Sequence, residues 1–314
     1  MSVGDHHTIH RHHVHHGWDN ALESALEGDS GTVVELEIVD ASGGQLGPSS
    51  SAADLGELDF DRVNPVTGPV YVRGTRPGDV LEVELLEFGT HPWGWTGIIP
   101  GFGLLADRFE QPTLKLWEFD ERMCEAVFRD DVRIPVQPFP GTIGVAPAEP
   151  GTHSVVPPRS CGGNMDIRHL TAGTKLFLPV QVDGALFSAG DTHAAQGDGE
   201  VCGTAIETAL DLSVRLTVRR DLRIRQPQFR VPGPLHSGRD PAGYWATTGI
   251  ADDLLEAAKL AVVHMIEHLV DHHGCSDEEA YMLASVAVDL SISEVVDAPN
   301  WLVSAFLPQS IFRR

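Results

Sequence analysis

Apolar and polar residues alternate along three early segments: TVVELEIV at 32–39, PVYV at 69–72 and DVLEVELLEF at 79–88. Successive side chains of an extended chain point to opposite faces, so alternation predicts strands with one buried face. The pieces SGGQLGPSSS (42–51) and RPGD (76–79) separate them as turns. TIGVAP (142–147), TKLFLPVQVDG (174–184) and LSVRLTVRRDLRIR (212–225) continue the pattern. The period changes over 251–273, ADDLLEAAKLAVVHMIEHLVDHH, where apolar residues recur every third or fourth position and predict a helix with Gly274 as its C-terminal cap. Ser276 and Glu279 form a capping-box pattern ahead of a second helix over 276–289, and a short strand follows near 291–296. The expected fold is mainly β, with β-sandwich or jelly-roll-like and distorted-barrel portions, and a C-terminal helical layer makes it α+β overall. Residues 1–250 form the β body that carries the candidate site, and 251–314 pack on it as a helical segment and final strand.

Composition narrows the partners. The 314 residues include 32 glycines and 21 prolines, in keeping with turn-rich β structure. Forty-five acids against 22 bases give a net charge of −23, which repels nucleic acid and anionic lipid and argues against both. The bases include only three lysines (Lys115, Lys175 and Lys259), a bias that suits a GC-rich genome or a salt-adapted cytoplasm. No run of 18 apolar residues exists to form a membrane-spanning helix. The polar, histidine-laden start is unlike a secretory signal, and Cys124, Cys161, Cys202 and Cys275 form no CxxC pair. A cytoplasmic protein with free thiols is expected.

Candidate chemistry concentrates in GDTHAAQGDGE (190–200). Asp191 and His193 are two apart, as are Asp198 and Glu200, and an extended chain turns such pairs to one side. CGGNMD (161–166) repeats the spacing with Asn164 and Asp166. One imidazole among carboxylates suits zinc, and more oxygen ligands suit calcium or magnesium. An acidic, glycine-rich hairpin tip explains the same letters equally well. HHTIHRHHVHHGWD (6–19) reads as a polar tail, with His15 and His16 set apart by their closeness to Trp18 and Asp19. His264, His268, His272 and His273 lack an HExxH context and read as the wet side of the helix. HPWGWTG (91–97), with Trp93 and Trp95, reads as a pocket wall or as core. No GxSxG elbow occurs, and neither Cys161 nor Cys202 sits in a catalytic signature.

Taken together, HHGWDN (15–20), SGGQ (42–45), NPVTGPVYV (64–72), PGD (77–79), VPPRSCGGNMDIRHL (156–170), GDTHAAQGDGE (190–200) and TTGI at 247–250 resemble the acetamidase/formamidase family. The resemblance runs nearly end to end. It implies a metal-dependent amidohydrolase that cleaves acetamide- or formamide-like amides to carboxylate and ammonia, on an oligomeric β-rich fold. Carried onto this chain, it suggests Asp166, Asp191 and His193 as ligands of a divalent cation, zinc first and calcium second, with His15 as a further ligand. Glu200 is then the base, and Asn164 and Gln196 orient the amide. Asp198 also matches the pattern. Cys161 stands where relatives often carry a polar residue, so it either softens the metal site or only packs. Two rival readings are a thiol amidase using Cys161 or Cys202, and a non-catalytic metal-containing binding protein.

Overall fold

A computed structural model describes residues 6–102, 110–129, 132–196, 200, 203–232, 243–275, 289–309 and 312. Two β-sheets pack face to face. The larger has nine strands in the order His6–Ile9, Thr32–Leu36, Leu212–Arg219, Val80–Phe88, Lys175–Pro179, Gln228–Val231, Tyr244–Ala251, Trp301–Pro308 and Asp289–Glu294. The smaller runs Gly162–Asn164, Phe139–Gly144, Phe187–His193, Val66–Val72 and Val14–His15, with Leu26–Gly28 also paired to Val66–Val72. The strand order of neither sheet returns to its first strand, so the body is a sandwich of two open sheets.

Period-2 patterning places the core. Leu81, Val83 and Leu85 of one strand and Leu212, Val214 and Leu216 of its neighbour point inward. They meet Val70, Val72, Phe139, Ile143, Phe187 and Ala189 of the smaller sheet in one buried cluster. The expected strands at 32–39, 69–72, 79–88, 142–147, 174–184 and 212–225 are all present, with shifted ends.

The helix spans Leu254–His273. The Asp253 side chain accepts a hydrogen bond from the Glu256 amide at its start, and Gly274 caps its end at φ 69°, a left-handed conformation that favours glycine. Ala257, Ala261, Met265 and Leu269 pack on Val303, Ala305 and Leu307, on the outer face of the nine-stranded sheet. The histidines divide. His272 and His273 are exposed as expected, but His264 and His268 face inward. The His264 ring nitrogen Nδ1 lies 2.8 Å from the Thr248 carbonyl, and the His268 ring stacks on Trp245 at 4.3 Å. The second helix predicted over 276–289 falls outside the described residues, apart from Asp289, which opens a strand.

Candidate functional site

The site forms at the end of the smaller sheet. Asp191 and His193 close the strand Phe187–His193. Gly190 lets this strand approach Val66–Val72 closely, because a Cβ there would sit 2.3 Å from the Pro65 carbonyl oxygen. Asp166 follows the strand Gly162–Asn164, and its amide donates to the Gly141 carbonyl at 3.2 Å. Gly141 leaves room for the cluster: a Cβ would lie 2.5 Å from Asp166 Oδ1, 2.8 Å from Asp191 Oδ2 and 2.9 Å from His193 Cε1. Any side chain there would push the three groups apart.

His193 is the hub. Its Nε2 lies 3.2 Å from Asp191 Oδ1 and 3.0 Å from Glu207 Oε2, and its Nδ1 is 3.0 Å from Gln196 Oε1 and 4.0 Å from Asp166 Oδ1. Gln196 also donates through Nε2 to the Asp166 carbonyl at 2.9 Å, so both ends of its amide are spent on protein. Thr142 Oγ1 lies within hydrogen-bond reach of Asn164 Oδ1 (2.6 Å) and Asp191 Oδ2 (3.2 Å), while Asn164 Nδ2 donates to Asp297 Oδ2 at 2.5 Å. Asn64 Nδ2 donates to Asp191 Oδ2 at 3.2 Å. Oxygen and nitrogen atoms of Asp166, Asp191 and His193 lie within 4.8 Å of one another, as do those of His193, Glu200 and Glu207, and those of Asp166, Glu200 and Asp297.

Electrostatics at this place are out of balance. Asp166, Asp191, Glu200, Glu207 and Asp297 are buried in the cluster that holds the His193 imidazole, and Glu294 is buried behind Asp297, whose amide it binds. Burial, helped by Asp191 and Glu294 and opposed by His193, pushes Asp166 up to about 8. Burial raises Glu207 and Glu294 to about 7, and burial with the nearby Asp166 charge holds Glu200 and Asp297 well above the usual carboxylate range. For His193, burial works against the charged form, but Glu207 and Asp191 outweigh it and raise its pKa well above the ordinary value. For Asp191, burial works upward and His193 with the hydrogen bonds outweighs it, so its pKa is lowered. Among the described residues, both Asp166 carboxylate oxygens are buried with no N–H donor on them, faced instead by the Asp297 carboxyl. Orphaned buried oxygens of this kind normally cost free energy unless a further charge faces them. That is the donor set a divalent cation would satisfy.

Backbone strain collects at the same residues. Asn64, Asp166, Asp191 and Glu200 have φ of 47°, 48°, 52° and 44°, a region that non-glycine residues seldom occupy. A cavity of about 220 Å³ opens onto the cluster, with Asn164, Asp191, Glu200, Glu207 and Asp297 at its polar end and Trp95 among its apolar walls.

Of the residues expected from sequence, Asp166, Asp191, His193, Glu200, Asn164 and Gln196 come together here. His15 does not join them. Its Nδ1 is 2.7 Å from the Gly17 carbonyl and its Nε2 is 2.9 Å from Ser188 Oγ. Asp198 and Cys202 lie outside the described residues. Cys161 belongs to the main apolar core, where burial pushes its thiol up to about 11, and it lines a different cavity from the carboxylates. Cys161 therefore packs, and a thiolate nucleophile at that position has no physical support.

Sequence reasoning missed Glu207, Asp297 and Gly141. Glu207 arrives through a backbone bridge to Trp95, with N–H···O bonds of 2.8 and 2.9 Å in the two directions. Asp297 comes from the turn after Asp289–Glu294, where its amide donates to Glu294 Oε1 at 2.5 Å. Neither stands in a motif, so only their burial marks them. Asn64 and Thr142 lay inside segments already singled out, NPVTGPVYV and TIGVAP.

Comparison with known proteins gives this site a family. The Acetamidase/Formamidase family matches residues 3–155 and 148–314. The chain is 29% identical to a formamidase of Methylophilus methylotrophus over 95% of its own length and 89% of that protein's. It is 30% identical to an acetamidase of Mycolicibacterium smegmatis, over 91% of this chain and 87% of that one. The crystal structure of an acetamidase from Bacillus halodurans superposes with a TM-score of 0.88 at 31% identity, covering 97% of this chain and 98% of the other. The chain belongs to the acetamidase/formamidase family, and it is an amidase, a hydrolase of amide bonds.

Proposed function

We propose that the protein is a metal-dependent amidase acting on primary aliphatic amides, and that Asp166, Asp191 and His193 hold its divalent cation. The observation that carries this reading is Asp166, buried beside His193 and Asp191 with no N–H donor among the described residues on either carboxylate oxygen. One imidazole with carboxylates suits zinc, and the further oxygens of Glu200, Glu207 and Asp297 make calcium the alternative. When bound, such a cation would supply Lewis acidity that lowers the pKa of water towards about 7.

The chain's own residues do the rest. Gln196 Oε1 accepts a hydrogen bond from His193 Nδ1, the tautomer in which the Nε2 lone pair would be the cation's ligand in place of its contacts with Asp191 Oδ1 and Glu207 Oε2. Thr142 and Asn64 hold Asp191 in its strained position. Glu200, with its pKa raised by burial and Asp166, takes a proton from water as it attacks the amide carbon and later passes it to the leaving ammonia. A positioned general base contributes about 10²–10⁴-fold. Asn164 lines the cavity next to Glu200 and orients the amide.

The experiment measures bound metal and ammonia release from acetamide and formamide before and after chelation, with Glu200→Gln beside the parent. The reading expects chelation to abolish ammonia release, and the variant to lose about 10²–10⁴-fold in kcat with its metal retained. Full activity in metal-free protein ends the mechanism. Loss of metal in Glu200→Gln would reassign Glu200 as a ligand.

A further inference from the structure

We infer that the preferred substrates carry an apolar acyl chain of about four to six carbons, longer than the acyl groups of acetamide or formamide, an inference that rests on the amidase reading. The cavity over the carboxylate cluster measures about 220 Å³. At about 30 Å³ for each water-sized heavy atom, that space takes roughly seven atoms. Formamide has three heavy atoms and acetamide four, so either leaves much of the space to water. Pentanamide, with seven, fills it.

The walls decide what the extra atoms are. Among the described residues, Leu58, Phe60, Val63, Trp95, Ile99 and Val156 line the cavity away from the acids, and the Thr204 hydroxyl, also on the lining, is spent on the Gly97 amide and carbonyl. The one ring nitrogen among these side chains, Trp95 Nε1, donates to Asp40 Oδ2 at 2.8 Å, so the indole presents apolar surface to the space. Thr204 apart, the remaining five carry only hydrocarbon. A polar or charged tail would lose its water and find no partner on these six side chains, and an anionic tail would also face the buried acids. Phe60 stands 57% exposed on this wall, placed to cover the end of a chain that outgrows the interior. A small amide gains nothing from these walls, whereas each methylene laid against them is worth about 0.8 kcal/mol, or about fourfold in kcat/KM.

The test is a chain-length series, formamide through octanamide, read twice on the metal-loaded protein: ammonia release for kcat/KM and calorimetry for Kd. The inference expects kcat/KM to climb about threefold to fourfold per methylene from acetamide to pentanamide and to level off by about hexanamide. Phe60→Ala should lower the hexanamide-to-acetamide ratio by about fivefold, the size of one or two lost methylene contacts. A maximum at formamide or acetamide with a decline by butanamide overturns it. Should no amide release ammonia, the amidase reading fails while the cavity is still tested: Kd values that tighten with length uphold an apolar-chain site, and flat values refute it.

Discussion

Gly141 shows how little separates this site from an ordinary sheet edge. It stands in a fully buried strand, and its missing side chain is the space in which Asp166, Asp191 and His193 meet. Gly141→Ala would place a methyl carbon 2.5 Å from Asp166 Oδ1, well inside contact distance. Since a displacement of about 1 Å can cost about 10²-fold in rate, Gly141→Ala is expected to lose at least that much kcat/KM and, on the proposed metal reading, most of its affinity for a divalent cation. Far-UV circular dichroism should stay that of the parent, and metal analysis with ammonia assays reads the rest. Glu207→Gln tests the neighbour that sequence reasoning missed: it keeps the shape but removes the charge 3.0 Å from His193 Nε2, and metal affinity should fall about 10- to 100-fold in a competition titration. Asp191 and His193 were legible because a period of two turns both to one side. Glu207 and Asp297 were not, because they reach the cluster through a backbone bridge and a turn that no local spacing announces.

At the level of elements, the helix Leu254–His273 is the most legible part of the chain, since its period, its acidic N-cap and its glycine cap agree. Asp253→Ala removes a hydrogen bond to the Glu256 amide and should cost about 1 kcal/mol in urea unfolding. Because the helix packs on the outer face of the nine-stranded sheet, amide hydrolysis should be unchanged. The inward turn of His268 was hidden, because the ring is apolar enough to stack on Trp245 only when neutral. Burial, with His272 and His273 adding to it, depresses the His268 pKa to about 3. The folded state thus refuses a proton that the unfolded chain accepts below about 6.5. The stability involved is fully present above that pH and drains as the pH falls from about 6.5 towards 3, by a few kcal/mol on the order-of-magnitude scale. His268→Phe keeps a stacking ring without a titrating group, so its stability between pH 6.5 and 5 should fall less steeply than the parent's, as chemical denaturation at stepped pH would record. Strand existence was likewise written in alternation, but the order of nine strands was not. Pairing Leu212–Arg219 with Val80–Phe88, for instance, joins segments over a hundred residues apart in sequence, and only the shared core selects it.

Over the whole molecule, acidic charge comes in two kinds that salt separates. The formal charge of −23 is spread mostly over wetted faces, where chloride and sodium screen it. The Debye length shrinks from about 30 Å at 0.01 M to about 3 Å at 1 M, so sodium chloride should relieve surface repulsion and raise Tm by about 2–5 °C over that range. Asp166, Asp191, Glu200, Glu207, Glu294 and Asp297 are a different population, buried in the fold. Beside His193 and their own protons, a cation seated among them would offset their charge. If one is held there, its removal costs RT ln(1 + [L]/Kd), about 4 kcal/mol at a thousandfold excess over Kd, and Tm should drop by about 5–10 °C. The decisive comparison is scanning calorimetry with and without chelator at 0.01 M and at 1 M sodium chloride. A buried site predicts that the drop on chelation stays nearly the same at both concentrations, because screening acts on exposed charge and barely on enclosed charge. A drop that vanishes in 1 M salt would mean the cation binds the acidic surface, and the carboxylates around His193 would have to be balanced by their own protons instead.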